Sequence, residues 1–114
     1  MDETIREDME STKAQMRKGI LEYAVLLVIA RGKVYASDIL RLLKEADLLV
    51  VEGTIYPLLS RLKKEEMVEY FWEESKTGPP RKYYSLTKKG RDMVRELGKV
   101  WTSLEESITS LQKN

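Results

Sequence analysis

The chain contains neither cysteine nor histidine. Thiolate nucleophiles, imidazole bases, disulfides and zinc sites built on sulfur or nitrogen ligands are therefore excluded. Carboxylates are abundant, but the pairs Glu65-Glu66, Glu73-Glu74 and Glu105-Glu106 are adjacent. Neighbours on a helix do not face one another, and neighbours on a strand point to opposite faces, so none of these pairs suits acid–base work. No glycine-rich phosphate loop or hydrolase elbow occurs. No catalytic residue, metal ligand or cofactor is expected. What remains is the chemistry of cations. The stretch TGPPRKYYSLTKKG, Thr77 to Gly90, sets a proline-stiffened turn before Arg81 and Lys82, two tyrosines and a capped helix start. Such a group binds anions and does not transform them.

The charges are unevenly spread. Net charge is +1 over 114 residues. Met1 to Glu10 carries Arg6 against Asp2, Glu3, Glu7, Asp8 and Glu10, so this segment is acidic; between Thr54 and Arg91 nine Lys or Arg stand against five Glu. The positive excess is concentrated in the second half of the chain.

The elements that position these residues follow from hydrophobic spacing. Ile20 to Ala30 is apolar at every position except Glu22, too short a run to cross a bilayer; it predicts a buried helix from about Ser11, as N-cap, to Ala30. Residues 1–10 read as a flexible acidic tail. Ala36, Ile39, Leu40 and Leu43 fall at i, i+3, i+4 and i+7, which predicts a second helix from Ala36 or Ser37. Leu48 to Val51 is a brief strand or packed connection. Thr54 is placed as the cap of a third helix with Pro57 in its first turn, and Ile55, Leu58, Leu59 and Leu62 form its buried side. Val68–Glu74 and Arg81–Leu86 read as strands of a hairpin. Tyr84 shares a face with Leu86, so Tyr84 is expected inside and Tyr83 outside. A last helix starts at Thr87, and Met93, Leu97, Val100, Trp101, Leu104, Ile108 and Leu111 make a stripe like a coiled-coil seam.

Helix, helix, helix, hairpin, helix is the order of a winged helix-turn-helix with an added C-terminal helix: mainly α with a small β-hairpin. Residues 11–86 would form the winged domain and 87–114 a dimerisation helix. In that arrangement the third helix presents its polar side to a DNA groove. That side carries Thr54, Tyr56, Pro57, Ser60, Arg61, Lys63 and Lys64, hydroxyls and cations suited to phosphate oxygens and guanine edges; an ordinary solvated helix face would carry the same pattern. Lys76, Arg81 and Lys82 at the ribbon tip would rest on the sugar-phosphate backbone. Lys88, Lys89 and Arg91 sit in the first turn of the last helix, where the helix dipole disfavours cations, and a nearby phosphate would relieve them. Solvated lysines would tolerate the same place.

The segments EGTIYPLLSRLKKE, Glu52 to Glu65, and GPPRKYYSLTKKG, Gly78 to Gly90, resemble the recognition-helix and wing motifs of the PadR family of transcriptional regulators, and the likeness runs from about Lys18 to Leu111. The resemblance implies a homodimeric winged-helix repressor of double-stranded DNA, of the compact branch with a single C-terminal dimerisation helix. Val100, Leu104, Ile108 and Leu111, with Leu97 and Trp101, would lie in the dimer seam. Some compact members bind flat aromatic compounds between subunits; by that likeness Trp101, with Leu97, Met93 and Ala24, would hold a small planar hydrophobic effector. Trp101 as a simple core filler is the plainer reading. Three departures from the family pattern stand out: Pro79 replaces a wing-tip arginine, Glu66 a helix-ending glycine, and Ala36-Ser37 a Gly-Tyr pair. Glu66 predicts a different helix end, since a left-handed residue other than glycine costs about 1–2 kcal/mol. The start of the chain lacks a signal-peptide core, so the expectation is a cytoplasmic protein with no membrane contact. The rival reading is a protein-interaction module whose winged fold no longer binds DNA.

Overall fold

The computed structural model describes residues 1–48 and 52–113. Helix α1 spans Glu3–Ile29, β1 Val34–Tyr35, α2 Ala36–Glu45, α3 Glu52–Lys64, β2 Val68–Glu73, β3 Arg81–Leu86 and α4 Lys88–Gln112. The three strands form an antiparallel sheet in the order β1-β3-β2. This is the expected winged-helix order, with one strand more than the sequence indicates. At two residues, β1 is too short to leave an alternation signal; it exists because Val34 and Tyr35 pair with Tyr84 and Tyr83.

One core holds these elements together. Val25, Leu26 and Ile29 of α1, Ile39 and Leu43 of α2, and Ile55, Leu59 and Leu62 of α3 are all at most 2 % exposed. Val68, Tyr84 and Leu86 close the core from the sheet. Tyr84 is buried and Tyr83 half-exposed, as alternation requires. In α3 the buried residues are the four that the i, i+3, i+4, i+7 pattern selects.

The helix ends differ from the sequence reading in instructive ways. Helix α1 begins at Glu3, not Ser11, so residues 3–10 are its first turns and not a tail. Asp2 is the N-cap, and its carboxylate accepts from the Ile5 N–H at 2.9 Å. The acidic run favours this end because negative charge complements the positive pole of the helix dipole. Helix α3 begins at Glu52, so Thr54 is its third residue and not its cap, and Pro57 lies within the helix rather than in its first turn. Pro57 removes the bond that the Gly53 carbonyl would otherwise receive. Of the brief strand or packed connection expected over residues 48–51, residues 49–51 lie outside the described residues.

Glu66 is also corrected. It takes the left-handed conformation, φ 62°, and ends α3 as a glycine would. The Glu66 N–H bonds the Lys63 carbonyl at 3.0 Å and the Met67 N–H bonds that of Leu62 at 2.9 Å. These are the two bonds of a Schellman cap, and Leu62 and Met67, both buried, make the hydrophobic contact that accompanies it. Together they outweigh the strain. Asp47, φ 63°, ends α2 in the same manner, with Leu48 bonded to Leu43 at 2.8 Å.

Because Glu66 carries this strain on an exposed side chain, Glu66→Gly is expected to raise stability by about 1 kcal/mol. Urea denaturation of the two proteins checks it; a loss of stability would mean that the Glu66 side chain makes a compensating contact.

Candidate nucleic-acid interface

On α3, residues four, seven and eleven apart share a face, so Gly53, Pro57, Ser60 and Lys64 point directly away from the core. Thr54 and Arg61 lie along one border of that face, Tyr56 and Lys63 along the other. All are exposed. The two borders face different neighbours. Arg61 donates from Nη1 to Glu22 of α1 at 3.0 Å and to Glu65 at 3.1 Å. The hydrogen bond to Glu65 first, and that to Glu22 after it, raise the guanidinium pKa above its ordinary value. Glu22, the single charge in the apolar run of α1, is thereby accounted for. On the opposite border the Lys63 ammonium lies 5.5 Å from the Tyr70 ring of β2.

The ribbon has two chemically distinct faces. Register pairs Val68 with Leu86, Tyr70 with Tyr84 and Trp72 with Lys82 on the side turned toward α3. There Lys82 sits 4.0 Å from the Tyr70 ring and 5.8 Å from that of Trp72. The reverse side carries Glu69, Phe71, Glu73, Arg81 and Tyr83. Phe71 stacks on Tyr83 at 5.4 Å, and Arg81 lies 3.6 Å over the ring of Tyr35. Glu73 ion-pairs with Lys33 and accepts from the Tyr35 hydroxyl at 2.6 Å. Arg81 and Lys82, grouped by sequence at one tip, thus serve opposite faces. Lys76 is exposed in the turn between the strands.

The cations at the start of α4 find partners within the chain. Lys89 donates to the Glu65 carbonyl at 2.8 Å, satisfying a free carbonyl at the negative end of α3. Lys88 pairs with Asp92 at 3.3 Å. Both side chains nevertheless stay exposed, Lys88 to 85 %. Among the described residues, Lys63, Lys64, Lys76 and Lys82 form no ion pair with a carboxylate. Arg81, exposed over the ring of Tyr35, likewise has no carboxylate partner, so α3 and the ribbon together present five cations able to meet an outside anion. Tyr70 and Trp72 are not selected by the sequence pattern: it shows their alternation with Glu69 and Glu73, but not the proximity of Tyr70 to Lys63 or of Trp72 to Lys82.

The proposed seam of α4 is largely uncovered in the single chain. Val100, Trp101, Leu104, Ile108 and Leu111 are between 41 % and 81 % exposed, whereas Met93 and Leu97 pack against the core. Ala24 lines a groove of about 410 Å³ between α1 and α2, with Leu27, Val28, Leu42 and Leu43. Its neighbour Tyr23 approaches α4, its hydroxyl oxygen 3.4 Å from where a Cβ on Gly98 would lie. No helix among the described residues is long and apolar enough to cross a membrane.

Residues 25–96 match the Transcriptional regulator PadR-like family. The chain is 51 % identical to a PadR-like transcription factor from Bacteroides fragilis, covering 89 % of this chain and 98 % of that one, with a TM-score of 0.74. A PadR-like transcriptional regulator from Bacillus cereus is 37 % identical over 88 % of this chain and 98 % of its own, with a TM-score of 0.77. The PadR of Bacillus subtilis, solved in complex with operator DNA, is 26 % identical over 68 % of this chain and 46 % of its own, with a TM-score of 0.63.

The Arg61–Glu22 contact ties α3 to α1 at the surface, where such pairs contribute about 0.2–1 kcal/mol. A double-mutant cycle of Glu22→Gln and Arg61→Gln, read by urea denaturation, is expected to return a coupling in that range. Zero coupling would mean that Arg61 is not held by α1.

Proposed function

The chain belongs to the PadR-like family of transcriptional regulators, and we propose that it works as a homodimeric repressor that binds duplex DNA. The outward face of α3 enters the major groove, with Ser60 and Lys64 at its centre and Thr54, Tyr56, Pro57, Arg61 and Lys63 around them. The ribbon lies on the flanking backbone through Lys76 and Lys82. The observation that carries this reading is the set of cations without carboxylate partners, Lys63, Lys64, Lys76, Arg81 and Lys82, shared between α3 and the ribbon. The operator complex of the Bacillus subtilis PadR supports the same partner. Arg61 reaches DNA only by exchanging at least one of its two carboxylates for a base edge or phosphate, whereas Arg81, Lys88 and Lys89, each with a partner inside the chain, stay exposed and can meet a phosphate as well.

A second copy of the chain covers the apolar stripe of α4. Contiguous exposed apolar patches of this kind mark interaction sites, and Ile5, Met9 and Met16 of α1, also exposed, add to the surface that a two-fold partner would bury. Two α3 helices would then read successive major grooves about 34 Å apart on a near-palindromic operator. A planar aromatic effector held near Trp101 between the subunits releases DNA by favouring another spacing of the two helices.

Retention on duplex DNA across a salt series tests the central step. Lys64→Ala is expected to weaken binding to all sequences and to reduce the slope of log K against log salt by about 0.9, while Arg61→Ala costs roughly 1–3 kcal/mol on the operator alone if the arginine reads a base. Leu104→Asp is expected to convert a dimer to a monomer in sedimentation. A wild-type chain that is monomeric, or that ignores duplex DNA at low salt, would overturn the reading.

A further inference from the structure

The side of the ribbon turned toward α3 contains Val68, Tyr70, Trp72, Lys82, Tyr84 and Leu86, none of them acidic. Both carboxylates of β2, Glu69 and Glu73, fall on the reverse. Toward the base of the ribbon this side is core: Val68, Tyr84 and Leu86 are buried. Toward the tip it opens, and Trp72 is left 65 % exposed with Tyr70 at 37 %. Exposing an indole on a strand is unfavourable in water unless something else covers it. Lys82 is held among three rings, at 4.0 Å from Tyr70, 5.7 Å from Tyr84 and 5.8 Å from Trp72, and Lys63 approaches Tyr70 from α3. The ammonium groups are thus fixed beside an apolar plate.

The chemistry of this plate selects its partner. A purely anionic partner would use the lysines and leave the indole wet; a purely apolar one would strand both charges. A strand of nucleic acid alternates charged phosphates with apolar sugar and base surfaces, and it matches both features at once. We propose that Trp72, backed by Tyr70, is a non-ionic DNA contact: its ring packs on the deoxyribose and base edges of the duplex flanking the groove that α3 occupies, while Lys63 and Lys82 neutralise the adjoining phosphates. The inference rests on the DNA-binding reading above and assigns the ribbon more than charge. No residue of β2 or β3 puts a carboxylate on this side, so the strands themselves offer a phosphate backbone no opposing charge.

A salt series separates the two kinds of contact, because only ionic contacts release counterions. Binding of a mixed-sequence duplex is measured for wild type, Trp72→Ala, Trp72→Phe and Lys82→Ala. Trp72→Ala is expected to bind about 5- to 50-fold more weakly at every salt concentration, the scale of burying an exposed ring, with a line of log K against log salt parallel to that of wild type. Trp72→Phe, which keeps a ring and serves as the second variant, recovers most of the loss. Lys82→Ala flattens the line. A Trp72→Ala line that coincides with wild type, or a loss that arrives together with a flatter slope, overturns the inference alone. Failure of the wild-type chain to bind the duplex at low salt overturns the DNA-binding reading itself.

Discussion

The carbonyl of Met67 lies where a side chain on residue 90 would begin, and this close approach organises the rest of the molecule. A Cβ on Gly90 would overlap the Met67 carbonyl oxygen and come within 3.2 Å of the Leu86 side chain, so only glycine fits there. Around that contact the end of α3 and the start of α4 satisfy each other. Thr87 donates its hydroxyl to the Glu66 carbonyl at 2.6 Å and accepts from the Gly90 N–H at 3.0 Å. Its own N–H bonds the Met67 carbonyl at 3.1 Å. Lys89 then reaches the Glu65 carbonyl. The negative pole of one helix faces the positive pole of the other, and the free polar groups at both ends become partners. Two helices of separate purpose are joined into one body.

The ribbon depends on a second set of ties, all on its reverse side. Tyr35 opens α2, and its backbone N–H is held by Asp38 at 3.0 Å; its ring carries Arg81 and its hydroxyl reaches Glu73. Lys33 joins the same cluster, 4.8 Å from the Tyr83 ring. Exposed contacts of this sort are individually worth about 0.5–1 kcal/mol. Their value lies in number and direction: those from Lys33 and Tyr35 to Glu73, Arg81 and Tyr83 brace the ribbon against the segment between α1 and α2, and none uses the side that carries Trp72 and Lys82. Charge and aromatic surface are divided so that bracing does not consume the residues facing α3.

The hydrophobic pattern made much of this legible. The four buried positions of α3, the burial of Tyr84 and the cap at Thr87 follow from spacing and residue type. Glu66 shows the limit of propensity: its left-handed conformation looks costly in isolation, but two cap hydrogen bonds and the Leu62–Met67 contact act together to impose it. The first turns of α1 were missed because their surface is exposed, and periodicity reports cores. Arg61 shows a different limit. Its outward position could be counted on the helix, but its partner Glu22 is 39 positions away and belongs to a helix whose angle only the fold sets. The division of Arg81 and Lys82 between faces follows from alternation, yet what each face meets required β1 and α3 to be in place.

The junction at Gly90 also determines how an event at the proposed subunit seam would reach DNA. From Gly90 to Trp101 the rise of an α-helix gives a lever of about 16 Å. Because α3 is bonded to the near end of that lever, a tilt of about 10° at Trp101 would carry α3 by about 3 Å, close to the 3.4 Å rise of one base pair. In a two-fold dimer both heads move, which doubles the change in their separation. No hinge between α3 and α4 is needed, and a hinge there would dissipate the motion. In the proposed dimer, a rigid weld in each chain combined with an adjustable seam between chains would be the economical route for coupling, and it would place the regulatory burden on the exposed stripe of α4 and not on the reading helix.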